Sequence, residues 1–317
     1  MKILFTGGSS FTGYWFVAEL ARAGHEVVSV FRRGEHDYDG VRRARVAGQD
    51  GISRRVFNCA FGDARFLELI ESGGRWDLLC HHAADVTNYK SPDFDVAAAL
   101  ANNTRAAGAV LGALAAGDCK KVLLTGSVFE QGEGCGSEDL RAFSPYGLSK
   151  GLTAEVFRYH AATAGMRLGK FVIPNPFGPF EEPRFTAYLV KTWLGGGTAV
   201  VKTPAYVRDN IHVTLLARAY ARFAADLPDG AGSSRLSPSG YPESQGAFTL
   251  RFAKEMRPRL RVPCEVELVT QTEFLEPRVR IGKDLLDAAS LEWSETEAWD
   301  RLAAYYLETH GPARGRT

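Results

Sequence analysis

Tyr146 and Lys150 stand four residues apart in Tyr146-Gly-Leu-Ser-Lys150. On a helix that spacing puts a phenol and an ammonium on one face, one turn apart. The chemistry on offer is proton exchange. A free tyrosine titrates near 10, so acid–base work near neutral pH asks its pKa to fall by roughly 3, about 4 kcal/mol. An exposed ion pair gives only about 0.2–1 kcal/mol. The lysine alone is not enough, and the pair needs a partly dry site with a second positive charge or donor. The same spacing is common on solvated helices, so the rest of the chain has to decide.

The elements before the pair alternate strand and helix. Lys2 to Phe5 is a short apolar run, then comes Thr6-Gly-Gly-Ser-Ser-Phe-Thr-Gly13, then a helical pattern through Ala23. In that order a glycine-rich turn places backbone N–H groups at a helix N-terminus, where they can cradle a pyrophosphate. Gly7, Ser10 and Gly13 set the frame, with Ser10 at its middle position and Phe11 and Thr12 inside it. A second strand, Val27 to Phe31, ends in Arg32-Arg33 rather than in a carboxylate. An acid there would hold an adenosine ribose. A guanidinium instead suits a phosphate, which favours NADP(H) over NAD(H); the alternative is two arginines facing solvent.

Residues 34–54 read as a loop or short irregular helix. Val56 to Ala60 reads as a third strand, followed by Asp63, which either accepts from an adenine amino group or caps the next helix. A fourth strand, Trp76 to His81, leads to Ala83-Ala84, whose small side chains let a cofactor approach the backbone. His81 and His82 point to opposite faces and cannot share a metal. One helix is expected from about Ala97 to Ala116, carrying Asn102 and Asn103. A fifth strand closes on Thr125, and Ser127 follows in Gly126-Ser-Val-Phe129. The helix of Tyr146 runs to about Ala164 and a sixth strand from Leu168 to Ile173.

This predicts an α/β fold: a Rossmann doubly wound parallel sheet with helices on both faces, plus a smaller C-terminal α/β substrate domain. Pro174, Pro176, Pro179 and Pro183 mark where the chain leaves the sheet. The expected division is 1–173 with 206–235 for the cofactor domain, and 174–205 with 236–317 for the substrate domain. Ser294 starts a last helix with a capping box to Glu297, and the tail from Gly311 is expected to fray.

Composition narrows the partners. The 317 residues carry a formal net charge of +1, which suggests neither a nucleic acid nor a membrane surface. No run of about 18 apolar residues suggests a membrane span, and the first strand starts without a signal peptide. Five cysteines, an odd number without CxxC spacing, fit a reduced cytoplasmic compartment better than disulfides or zinc. No metal site is expected.

Taken in order, these features resemble the extended short-chain dehydrogenase/reductase family, which contains nucleotide-sugar epimerases, dehydratases and keto-sugar reductases. The resemblance rests on the turn at 6–13, Asp63, Ala83-Ala84, Asn103, Thr125, Tyr146 with Lys150, Pro174-Asn175-Pro-Phe-Gly-Pro179 and Arg208-Asp-Asn-Ile-His-Val213. It implies Tyr146 as acid–base and Lys150 on the nicotinamide ribose, with an oxidised nicotinamide as the missing positive charge. By the same resemblance, Thr125 bonds the reacting oxygen, and the count back from Val128-Phe129 prefers it to Ser127. Asn103 supports the site, and Pro174 and Asn175 border cofactor and substrate. Arg208 clamps a nucleotide-sugar diphosphate, and Arg278 or Arg280 adds a second contact.

The family's sugar dehydratases carry Asp-Glu where this chain has Gly126-Ser127, which argues against elimination. The favoured reading is NADPH-dependent reduction of a keto-deoxysugar nucleotide, and the alternative is an epimerase with retained NAD. Reduction of a non-sugar carbonyl and a non-catalytic cofactor sensor are further readings. The resemblance also implies a homodimer through the helices near 97–116 and 146–164.

Overall fold

In the computed structural model, which describes residues 1–311, the first apolar run becomes the middle of a sheet. The tail expected to fray lies, beyond Gly311, outside the described residues. Strands β1 (Lys2–Thr6), β2 (Glu26–Val30), β3 (Arg54–Val56), β4 (Leu78–His81), β5 (Lys121–Ser127) and β6 (Arg167–Ile173) lie parallel with a seventh, Gly232–Leu236. Their spatial order is Gly232–Leu236, β6, β5, β4, β1, β2, β3. The winding reverses between β1 and β4, and at such a reversal open α/β sheets take ligands in the crevice at the carboxyl ends of the strands.

Six helices connect these strands: α1 (Phe11–Arg22), α2 (Gly40–Ala47), α3 (Ala64–Ser72), α4 (Val96–Asn103), α5 (Ala107–Ala116) and α6 (Pro145–Thr163). Phe66, Leu69 and Ile70 of α3, Val110, Leu111 and Leu114 of α5, and Ala154, Phe157 and Ala161 of α6 cover one face of the sheet. Phe16, Val17 and Leu20 of α1 cover the other, with a later helix beside them. Fully burying side chains of this size stabilises the fold by about 1.5–3 kcal/mol each.

The rest of the chain forms a second body and returns once to the first. It runs through β7 (Asn175–Phe177), α7 (Phe185–Leu194), β8 (Ala199–Val201), β9 (Val207–His212), α8 (Val213–Ala225) and β10 (Gly232–Leu236). It ends with β11 (Pro238–Ser239), β12 (Tyr241–Ser244), α9 (Gln245–Leu260), β13 (Val266–Leu268), β14 (Val279–Arg280), β15 (Asp284–Leu285) and α10 (Glu295–His310). Helix α8 packs beside α1 on the main sheet, where Tyr220 stacks on Phe16 at 3.9 Å. β9 pairs with β7, β12 and β14. Phe177, Trp193, Phe248, Phe252 and Trp299 form a separate core beneath that small sheet.

Several expectations shift. The third strand is Arg54–Val56, not 56–60, because Asn58 turns the chain at φ 54°. Residues 34–54 hold a 3₁₀ turn, Glu35–Asp37, and the helix α2. The single helix expected over 97–116 is two. The carbonyl of Asn103 meets His81 Nε2 at 3.1 Å, and Ala106 turns left-handed at φ 49° before α5 begins. A tertiary hydrogen bond thus replaces a helical one. At Ser294 only half of the expected box forms, its hydroxyl accepting from Glu297 N at 3.3 Å.

Candidate active site

The glycine-rich turn is fixed by close approach. Gly7 has φ +87°, and a side chain there would stand 2.7 Å from Ala83 N; one at Gly13 would collide with the Gly7 carbonyl. Only glycine fits either place. Ser10 takes the middle position by folding inward. Its hydroxyl donates to Gly7 O (2.9 Å), accepts from Gly13 N (3.1 Å) and meets His82 Nε2 at 3.0 Å. The outer rim of the turn is braced from α2 and the turn after it: Gln49 Nε2 donates to Gly8 O (2.8 Å) and Arg45 of α2 donates to Ser9 O (3.3 Å). Arg45 also grips Glu182 at 2.6 Å and Phe180 O, tying the turn to the segment before α7. Small residues at a helix N-terminus fit a dinucleotide pyrophosphate.

Around that turn lie the other expected cofactor residues. Phe11 and Thr12 are buried in the first turn of α1. Ala83, with its N–H on Thr6 Oγ1 at 3.1 Å, forms the facing wall, and Ala84 follows. Pro174 is buried between β6 and β7. Arg32 and Arg33 are exposed beyond β2, and neither guanidinium has a hydrogen-bond or ion-pair partner among the described residues. Asp63 serves as the cap: its two oxygens accept from Phe66 N (2.8 Å) and Ala60 N (2.9 Å).

Ser144 caps α6 by accepting from Gly147 N, and Pro145 opens its first turn. Tyr146 and Lys150 follow on the face turned to β5. Lys150 is 4% exposed, and its Nζ donates to the Thr125 carbonyl at 2.6 Å. Burial pulls its pKa down to about 8, with Glu130 opposing and Lys170 adding. The Tyr146 ring is boxed by Tyr89 at 5.5 Å and Phe94 at 6.0 Å, both edge-on. Contrary to expectation, its phenol is pushed above the ordinary tyrosine value by burial, then by Glu130 and Tyr89; Arg184 opposes them. Arg184 is the cation that favours the phenolate, and it does not overcome a dry site with a carboxylate nearby.

Asn103 accepts from Asp85 N (2.8 Å) and donates to Thr153 (3.2 Å) on α6. Asn175 opens β7, in register with Asn210. Thr125 is 3% exposed, and its hydroxyl lies on His82 Nδ1 at 2.9 Å. Ser127, half-buried, ends β5 two residues nearer the crevice. Arg208 lies over Phe143 and Tyr206 and donates to Glu276 at 2.9 Å and to the Val207 and Pro277 carbonyls. Arg280 is corrected from a substrate contact to a buried brace. At 1% exposure it donates to the carbonyls of Val128, Glu130, Glu133 and Arg141, and its one unpartnered donor, Nε, is itself buried away from any phosphate. Arg278 instead lies over Phe274 at 4.0 Å.

Sequence reasoning missed two clusters. One is the His82 hub. The other is a buried ion cluster, in which Lys170 of β6 donates to Glu130 (2.6 Å) and Glu133 (2.8 Å), and Arg235 meets Glu133 at 3.2 Å. A lysine inside an apolar central strand was the available signal, since a buried ammonium requires a carboxylate.

The fold is shared with solved enzymes. The chain superposes on the dTDP-glucose 4,6-dehydratase of Streptomyces venezuelae, a structure holding NAD, with a TM-score of 0.71 at 21% identity over 98% of both chains. It superposes equally on the UDP-glucose 4-epimerase of Thermotoga maritima, a structure with UDP-glucose (TM-score 0.71, 20% identity, 98% and 99% of the two chains). For the UDP-glucuronic acid 4-epimerase of Bacillus cereus the TM-score is 0.69 at 17% identity, over 98% and 100%. No curated protein sequence matches the chain. Residues 3–234, from β1 into β10, match the family described as the NAD dependent epimerase/dehydratase family. The chain is an enzyme of that family.

Proposed function

We propose that this enzyme reduces a keto group of a nucleotide-activated deoxysugar with NADPH. The observation that carries the reading is the end of β2. Two exposed guanidiniums without partners among the described residues stand where a ribose-binding carboxylate would otherwise stand. A bidentate guanidinium suits a 2′-phosphate. NADPH, when bound, supplies the hydride. Lys150 then holds the nicotinamide ribose. Tyr146, kept neutral by burial and by Glu130, hands its proton to the carbonyl oxygen as charge develops there. A phenol that resists ionisation suits reduction better than an oxidative first step. Arg208 releases Glu276 to meet the substrate diphosphate, with Asn175 on the same small sheet. Elimination is disfavoured because Gly126 has no side chain and Glu130, the carboxylate bonded to Ser127 N, is fully buried against Lys170.

The test is a cofactor titration. Replacing Arg32 and Arg33 together by alanine is expected to weaken NADPH by about 10–100-fold, two exposed contacts at roughly 0.7–1.4 kcal/mol each, and to leave NADH within about twofold. Equal losses for both cofactors would remove the NADP assignment. Purification with tightly held NAD, and no NADPH consumption with a 4-keto nucleotide sugar, would give the epimerase reading instead.

The same reading includes a homodimer and a cytoplasmic enzyme. Leu148 and Tyr159 of α6 are 40% and 70% exposed, a surface that a second copy would cover, and sedimentation equilibrium reads the mass directly. All five cysteines are free, which suits a reducing compartment. No helix among the described residues is long and apolar enough to cross a membrane.

A further inference from the structure

We propose that His82 is a positioning residue that takes the Thr125 proton and locks it to the cofactor turn, so that Ser127 presents the hydroxyl to the reacting oxygen. The argument follows the protons. Ser10 spends its proton on Gly7 O and a lone pair on Gly13 N, so towards His82 Nε2 it can only accept. His82 Nε2 therefore carries the hydrogen, shared with Thr12 Oγ1 at 3.1 Å. The ring is neutral, because burial, then Lys150 and His81, push its pKa down to about 3. A neutral imidazole with hydrogen on Nε2 has a lone pair on Nδ1. Thr125, 2.9 Å away, must donate there. Its one proton is spent on the face of the sheet that packs against Phe16 of α1, and its side chain is 3% exposed.

Ser127 has the opposite status. Its Oγ accepts only from Phe129 N at 3.2 Å, and its own proton has no acceptor among the described residues. It sits at the carboxyl end of β5, opening the turn whose Phe129 carbonyl packs on Gly147, the residue after Tyr146. Its N–H is fixed on Glu130 Oε1 at 2.7 Å, which sets the backbone that carries the hydroxyl. The hub also makes the turn and β5 one unit: a shift of Ser10 or Thr12 moves His82, and His82 moves Thr125, whose carbonyl holds Lys150.

The kinetic half of this inference rests on the reductase reading; the protonation of His82 does not. ¹⁵N NMR of the wild-type histidine rings, with His82 assigned by its absence from His82→Phe, is expected to show the Nε2–H form without titration between about pH 5 and 9. Ser127→Ala is expected to lower kcat at least tenfold, by analogy with the ~10²–10³ of a lost oxyanion donor, with NADPH affinity within about twofold. His82→Phe fills the space between Phe5 and Phe16 and is expected to weaken NADPH about tenfold through the loosened turn. An Nδ1–H ring would free the Thr125 proton and overturn the proposal. So would Thr125→Val costing more turnover than Ser127→Ala at unchanged NADPH affinity. A wild-type protein inert towards keto-sugars would defeat the reductase reading alone, because the NMR still decides the proton's place.

Discussion

A Tyr146→Phe enzyme binds NADPH like the wild type and loses about 10²–10⁴ of its turnover, the usual weight of a positioned proton donor. The substitution removes one oxygen and keeps the ring between Tyr89 and Phe94. Packing is therefore preserved, and the loss belongs to kcat rather than to folding or cofactor affinity. The wild-type pH profile carries a second signature. Lys150 is a charged ammonium below about 8 and neutral above it, because burial has pulled it down from the ordinary lysine value, with Lys170 adding and Glu130 opposing. Turnover is expected to fall as pH rises through about 8, since the group that orients the ribose loses its charge there. Stopped-flow NADPH oxidation across pH, with a fluorescence titration for cofactor affinity, measures both. A Tyr146→Phe protein that kept more than a tenth of the wild-type rate would mean that the proton comes from elsewhere.

The parts legible in the sequence were those fixed by local rules. A strand, a glycine turn and a helix in that order needed only the close approaches at Gly7 and Gly13. The i, i+4 pairing of Tyr146 with Lys150 needed only a helix, and Ser144-Pro145 announced its start. What stayed hidden was decided at a distance. Nothing near Asn103 says that its carbonyl will be claimed by His81, twenty-two residues back, and so ends a helix. Nothing near Arg280 says that four carbonyls from the 128–141 loop converge on it. The His82 hub was half legible. Serine at the middle of the turn, threonine before its last glycine and histidine before Ala83-Ala84 are each odd alone, and together they are three polar groups that need partners. Arg45 and Gln49 were lost because residues 34–54 read as a loop or short irregular helix with no assigned partner, although both prove wholly buried against the turn.

Lys170→Met is expected to destabilise the fold by about 3–5 kcal/mol, the usual cost of breaking a buried ion pair from one side. Burial alone would pull this lysine down, but Glu130 and Glu133 more than offset it and hold the ammonium above its ordinary value. Methionine fills nearly the same space, so no cavity accounts for the loss. What remains is a fully buried Glu130, with Lys150 acting on it from further off, and a nearly buried Glu133 beside Arg235. The sign with pH follows. A carboxylate that takes up a proton no longer needs the lost ammonium, so the deficit is largest near neutral pH and shrinks on acidification. Adding Glu130→Gln and Glu133→Gln to Lys170→Met removes the orphan charges and should recover at least half of the loss. Urea unfolding followed by tryptophan fluorescence at two pH values reads all of this. Because Glu130 also holds Ser127 N at 2.7 Å, the single variant should lose turnover before it loses fold, under urea too dilute to unfold it. A deficit under about 1 kcal/mol, or one that grew on acidification, would mean that water reaches the cluster and that Ser127 is braced by the Arg280 carbonyl contacts alone.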